Sequence, residues 1–282
     1  MKILPGYRRK KNSPEVPSEL LKKIKGLSST GIKRAVFDLD NTILNGDIGD
    51  AVFCRLKNLE TMERVRVDGK LIDLSWEVYM EMIAHGEKEF AYKRVTECME
   101  YIPESLILDL TRELMNSDFR YIEHAGEQIP IPHIDPGMRS LIDLLKGEKF
   151  DIYVISASNS ISVKVIADEY LELSREKAFG IESERHKNED GRELLSEVLK
   201  EPVPVNNGKA DLYRALISEK MPLITSGDSE LDLPMLDLVD DGGLVLWRGE
   251  DDIVLKKLNE LMSGRADVIS LKQAGFTSGV SE

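Results

Sequence analysis

Short apolar runs, each ending at a carboxylate, hydroxyl or glycine, alternate along this chain with segments whose apolar residues return every three or four positions. Ala35-Val36-Phe37 leads into Asp38, the stretch 151–155 into Ser156, the stretch 222–225 towards Gly227-Asp228, and 244–247 forms a fourth run. Runs this short and continuously apolar read as strands buried on both faces. The three-to-four-residue periodicity predicts helices over 19–25, 49–61, 75–84, 88–101, 104–116, 160–173 and 209–219. Another is predicted after Asp135-Pro136, an N-cap followed by proline at the first helical position. Strands alternating with helices predict an α/β fold with a doubly wound parallel sheet.

One stretch breaks the alternation. Residues 49–134 follow the first strand directly, carry helical periodicity and almost no strand signal, and are too long for a loop. They predict an inserted all-helical cap domain. The expected organisation is an N-terminal arm and short helix at 1–30, an α/β core at 31–48 and 135–282, and the cap at 49–134. Within the core, 181–204 is a polar excursion, with a hairpin expected around Asp190-Gly191.

The net charge of −13 argues against nucleic acid or an anionic membrane as partner. No apolar run has the length of a membrane span. The basic start, Arg8 to Lys11, precedes no hydrophobic stretch and so is not a secretory signal. Cys54 and Cys98 do not make a disulfide framework. A soluble, cytoplasmic protein is the expectation. The four histidines, His85, His124, His133 and His186, show no metal-ligand spacing.

The chemistry lies at the strand ends: Asp38-Leu-Asp40-Asn-Thr42, then Ser156, then Lys209, then Gly227-Asp228-Ser-Glu-Leu-Asp232. In open α/β sheets these ends meet at one edge. The order suits phosphoryl transfer through an aspartyl ester. Asp38 is the expected nucleophile, and Asp40 the acid and then the base. A carboxylate attacking a phosphate dianion needs a divalent cation, and Mg²⁺ suits oxygen ligands from Asp38, Asp228 and the Asp40 carbonyl. Ser156 and the Ala157 N–H are expected to hold phosphoryl oxygens, with Ser158 and Ser160 behind them, and Lys209 to neutralise Asp38 and the phosphate. Thr42 would fix the turn and Asp232 orient Lys209 or a metal-bound water. Taken singly, each has a plain alternative: capping acids, an ST-turn, a solvated lysine.

Over residues 33–247 this series resembles the haloacid dehalogenase superfamily of phosphatases. The helical insertion after the first motif looks like the phosphoserine phosphatase and phosphocholine phosphatase branch. That resemblance implies a Rossmann-like core and an Mg²⁺-dependent phosphomonoesterase acting on a small, amine-bearing ester such as phosphocholine, phosphoethanolamine or phosphoserine. Asp47 stands where phosphoserine phosphatases carry a glutamate facing the substrate amine. Tyr92 stands where their cap arginine is expected, and Arg94 fills that place only if the helix shifts. Leu231 replaces the asparagine usual before the second aspartate. Trp76, Tyr79, Tyr92, Tyr101 and Tyr121 either form the cap's core or cage a quaternary ammonium. Glu201-Pro202-Val203, leading to Gly208-Lys209, looks more like phosphocholine phosphatases. A phosphotransferase using the same aspartyl phosphate and a non-catalytic binding protein of this fold are the alternatives; an acid at Asp40 disfavours dehalogenation.

Overall fold

The computed structural model describes residues 14–27, 32–61, 74–191, 193–274 and 276; the first thirteen residues of the expected arm lie outside these. Six parallel strands form the central sheet, in the spatial order Asp267–Ser270, Leu244–Trp247, Ile224–Gly227, Arg34–Phe37, Asp151–Asn159, Ala178–Ile181. The first strand of the sheet in sequence lies inside it. The chain builds outward to one side and then returns to build the other. Loops leaving the carboxyl ends near Phe37 therefore diverge, which opens a crevice there. Ala35, Val36 and Phe37 are fully buried, as are Val245, Leu246 and Trp247, as expected for a sheet covered on both faces.

Two strands escaped the sequence pattern. Ala178–Ile181 and Asp267–Ser270 are four-residue edge strands, the second with no fully buried position. The strand from Asp151 is longer than its apolar run and continues to Asn159.

The insertion carries four helices, Ile48–Thr61, Trp76–Ala84, Lys88–Glu97 and Glu104–Met115. It is not all helical. Tyr121–His124 and Glu127–Pro130 form an antiparallel hairpin around Ala125-Gly126, both at positive φ. Only Ile122 and Ile129 of that pair are buried, so its hydrophobic signal was one residue per strand. The helix from Lys88 ends at Glu97 rather than at 101. Tyr101 takes a left-handed φ of 65° and its N–H bonds outward to the Leu195 carbonyl at 2.9 Å.

That bond belongs to a second hairpin, Ser183–Lys187 with Glu193–Leu199, which turns through Asp190-Gly191. Leu195 N–H returns a bond to the Ile102 carbonyl at 3.1 Å, and Pro103 bridges Leu194. Arg185 reaches Glu104 at 2.8 Å, and the Tyr101 and His186 rings meet edge-on at 5.4 Å. Backbone, charge and ring contacts thus join the helical insertion to a hairpin of the α/β core.

The turn after the first strand is held from across the sheet. Arg248 donates to the Thr42 carbonyl at 2.5 Å, to Asn45 Oδ1, and to Asp135 Oδ2 at 2.8 Å. Asp135 is fully buried, and its Oδ1 caps the helix Pro136–Gly147 through Gly137 and Met138 N–H. Removing the guanidinium strands a buried carboxylate. Arg248→Met is expected to lose about 3–5 kcal/mol in urea denaturation. Adding Asp135→Asn, which keeps the cap, should recover more than half of that; equal losses in both would place the cost elsewhere.

Candidate active site

Asp38 follows the buried strand directly, and its N–H donates to the Ser226 carbonyl at 2.9 Å. The carboxylate therefore stands at the sheet edge. Lys209 meets it from the start of the helix Asn207–Leu212. Its Nζ lies 2.6 Å from Asp38 Oδ1 and 2.5 Å from Asp232 Oδ1, with the lysine 3% exposed. Gly208 makes this approach possible, because a Cβ there would overlap the Val203 carbonyl. Burial would strip the proton from Lys209, but the two carboxylates reverse that and raise its pKa. Burial pushes Asp38 up to about 7 against the pull of Lys209.

Asp40 is held from three sides. Oδ1 accepts the Ile48 N–H at 2.8 Å, and Oδ2 accepts the Ser156 and Ser158 hydroxyls at 2.7 and 2.8 Å. Burial, with the nearby charge of Asp47, raises it to about 7 in spite of these bonds. Ser156 is fully buried and its hydroxyl proton is committed to Asp40. This differs from the expected phosphate contact: residue 156 falls where the longer strand's pairing is interrupted, between Ile155 and Asn159, and its hydroxyl turns to Asp40. Ala157, Ser158 and Lys209 line the open cavity.

Thr42 donates to Asp228 Oδ1 at 3.3 Å. Asp38, Asp228 and Asp232 each offer an oxygen within 4.8 Å of the others. Asp232 is already engaged: Oδ1 faces Lys209, and Oδ2 accepts Asp228 N–H, Ser229 N–H and the Ser229 hydroxyl at 3.0–3.1 Å. Oδ2 of Asp38 and Oδ2 of Asp228 accept no hydrogen bond from the described residues. Two carboxylates with free oxygens side by side, Asp38 buried and Asp228 half-buried, fit a hard divalent cation. Burial and the charges of Asp232 and Asp38 hold Asp228 well above the ordinary carboxylate range.

The insertion supplies the far wall of a cavity of about 130 Å³. Asp47 caps the helix Ile48–Thr61 through Asp50 N–H at 3.0 Å. Asp50, one turn on, accepts the Tyr79 hydroxyl at 2.5 Å. Burial raises both acids, Asp50 to about 6. Tyr92 and, one turn before it, Lys88 also line the cavity; Lys88 forms no ion pair among the described residues. Arg94 is absent from the wall and pairs with Glu97 at 3.5 Å. Of the five rings considered as a cage, Tyr79 and Tyr92 reach the cavity. Trp76 packs on Phe53 and Tyr79, Tyr101 on His186, and Tyr121 is half exposed. Sequence reasoning missed Asp50, Tyr79 as its partner, Lys88 and Asn159. The i, i+3 pair Asp47/Asp50 and the i, i+4 pair Lys88/Tyr92 were the available signals.

The raised pKa of Asp228 has a measurable consequence. The folded state holds a proton that the unfolded chain releases near pH 4, so Asp228 costs increasing stability as pH rises from there. In chelator, Asp228→Asn should melt higher than the parent by several degrees at pH 8, with the gap closing towards pH 4. A pH-independent gap in calorimetry would contradict the assignment.

The haloacid dehalogenase-like hydrolase family model matches residues 35–237. No curated protein matches the sequence. A conserved protein of unknown function from Anaerococcus prevotii DSM 20548 superposes with a TM-score of 0.59 at 16% identity, covering 91% of this chain and 92% of that one. A protein of unknown function from Bordetella pertussis Tohama I gives 0.59 at 18%, covering 86% and 100%. A phosphoserine phosphatase captured as a phospho-aspartyl intermediate analogue gives 0.50 at 16%, covering 85% and 93%. These likenesses concern the fold. The family match spans well over half of the chain, including every strand-end motif, and the protein belongs to the haloacid dehalogenase-like hydrolases.

Proposed function

We propose that this hydrolase is a phosphomonoesterase that works through an aspartyl phosphate on Asp38, with residues 49–134 serving as the cap over the site. The observation that carries the reading is the buried Lys209 held between Asp38 and Asp232, beside an Asp40 poised near neutrality. Asp38 attacks phosphorus in line, and the ester oxygen departs with the proton of Asp40. Asp40, now ionised, takes a proton from water as that water attacks phosphorus. The P–O bond to Asp38 breaks, inorganic phosphate leaves, and Asp38 is regenerated. A carboxyl with a pKa of about 7 can give and take a proton at neutral pH. Ser156, Ser158 and the Ile48 N–H hold Asp40 for both steps. Lys209 and Ala157 receive the phosphoryl oxygens. Asp38, Asp228 and the Asp40 carbonyl would hold Mg²⁺, which when bound offsets the repulsion between carboxylate and phosphate. Thr42 orients Asp228, and Asp232 orients Lys209.

The substrate is small and amine-bearing. The cavity is closed by helices, and its far wall presents Asp47 and Asp50 without a cationic partner among the described residues. Two half-buried carboxylates there favour a ligand that brings positive charge. Phosphoethanolamine, phosphocholine and phosphoserine share that feature.

Two experiments test this. Asp38→Asn should lose turnover with the fold intact. Asp40→Asn, given an aryl phosphate whose leaving group needs little protonation, should accumulate acid-stable phosphoenzyme, because water activation falls by about 10²–10⁴-fold. Rapid-quench trapping with no excess over the parent would exclude the role of Asp40.

The cation site is tested by substrate preference. Phosphoethanolamine should exceed a neutral ester of similar size in kcat/KM, and Asp47→Asn should erase most of that preference, about tenfold, while aryl phosphate turnover changes little. Ionised acid attracts the ammonium, so the preference should rise with pH as Asp50 and Asp47, both held above the ordinary carboxylate range by burial, ionise. Equal losses on charged and neutral esters would make Asp47 a helix cap and nothing more.

A further inference from the structure

The strand Asp151–Asn159 ends in a side chain that is only half used. Asn159 caps the next helix, its Oδ1 accepting the Ser162 N–H at 2.9 Å. Only the amide oxygen can accept that bond, so the orientation of the group is fixed and Nδ2 points the other way. Nδ2 is buried without a hydrogen-bond partner among the described residues. The residue is 4% exposed and lines the cavity that holds Asp38, Asp40 and Asp47. An orphaned buried donor is costly, and native structures keep few. Capping does not account for it, because aspartate caps equally well and brings no surplus donor. The strand's register also shifts between Ile155 and Asn159, and an irregularity beside a site re-aims a side chain.

Position indicates which part of a ligand the donor meets. Phe37 pairs with Val154, so Asp38 lies level with Ile155. Asn159 is four residues further out, on the order of 10 Å along the strand once the irregularity is allowed for. A phosphoryl group on Asp38 stays beside Asp38, whereas the alcohol portion extends outward, towards the helices that close the cavity. The other polar groups lining that side include Asp47 and Asp50, which accept, and Lys88 and the Tyr92 hydroxyl, which can donate.

We infer that Asn159 is a positioning residue whose Nδ2 donates a hydrogen bond to an oxygen acceptor on the alcohol portion of the substrate. The inference rests on the phosphomonoesterase reading of this cavity. It narrows the substrates to esters of alcohols that carry a further oxygen, over plain hydrocarbon alcohols.

The test uses acetonyl phosphate and isobutyl phosphate, which have the same number of non-hydrogen atoms and branch at the same carbon, with a carbonyl oxygen in the first where the second has a methyl. The parent should prefer acetonyl phosphate by about tenfold in kcat/KM. Asn159→Asp keeps the capping oxygen and loses the donor, Asn159→Ala loses both, and both should bring the ratio close to one. Melting temperatures identify a variant that fails to fold, in which case the other decides. A parent ratio near one, as when a fixed water satisfies Nδ2, overturns the inference, and so does a variant that keeps the parent ratio. An increase in the inhibition constant of inorganic phosphate matching the loss on both esters would put the donor on the phosphoryl group and overturn it too. Parent turnover of isobutyl phosphate tests the phosphatase reading separately, since Asn159 has no acceptor to meet on that ester.

Discussion

A lysine ammonium removed from water must find negative charge or give up its proton, and Lys209 finds two carboxylates at once. Much of the site follows from that requirement. Asp38 and Asp232 come from different strand ends, so the buried cation ties the edges of two parallel strands together. Gly208 lets the chain pass close enough to Val203 to deliver the lysine. Asp232 then spends its second oxygen on Asp228 N–H and Ser229, fixing the loop that carries Asp228. A neutral residue at 209 would leave two buried acids facing each other, and like charges at that distance do not both ionise.

The second constraint is the attachment of the helical insertion. Its two ends lie close together, at the short pairing of Leu44-Asn45 with His133-Ile134. Two connections at one place would act as a hinge. The hairpin Ser183–Lys187/Glu193–Leu199 adds a third attachment, through Tyr101, Ile102 and Glu104. The insertion therefore sits on the core at separated points. This arrangement holds Tyr79, Lys88 and Tyr92 across the cavity from Asp38.

What could be read from the sequence depended on how local the signal was. The central strands were legible because each is a continuous apolar run, and the family match spans the motifs at their ends. The edge strands Ala178–Ile181 and Asp267–Ser270 were not, since a partly exposed four-residue strand has no distinctive pattern. The hairpin at 121–130 was hidden because it buries one isoleucine per strand. That Asp38, Asp40, Lys209 and Asp228 would meet in one place was legible from order and context, and all four line the cavity. The arrangement around Asp40 was not: that Ser156 faces a carboxylate instead of the cavity depends on a strand running past its apolar stretch to Asn159. The cap residues were the least legible. Tyr92 and Arg94 are two apart on one helix and so point in different directions, and only packing decides which one faces the site.

The acids of the cavity divide by what neutralises them. Asp38 and Asp232 share Lys209. Asp40 is answered by two hydroxyls and a backbone N–H. Asp228 has Thr42 alone, and Asp47 and Asp50 have a backbone N–H and the Tyr79 hydroxyl. Carboxylate oxygens are thus left without a cationic partner among the described residues in two places. One, between Asp38 and Asp228, presents bare oxygens close together, which suits a small hard ion. The other, lined by Asp47, Asp50 and Tyr92, pairs carboxylates with an aromatic face, which suits an organic ammonium. A phosphate ester lying between them would have its phosphoryl end at the first and its cationic end at the second. On the proposed reading, Asp40 would protonate the oxygen that joins those two ends.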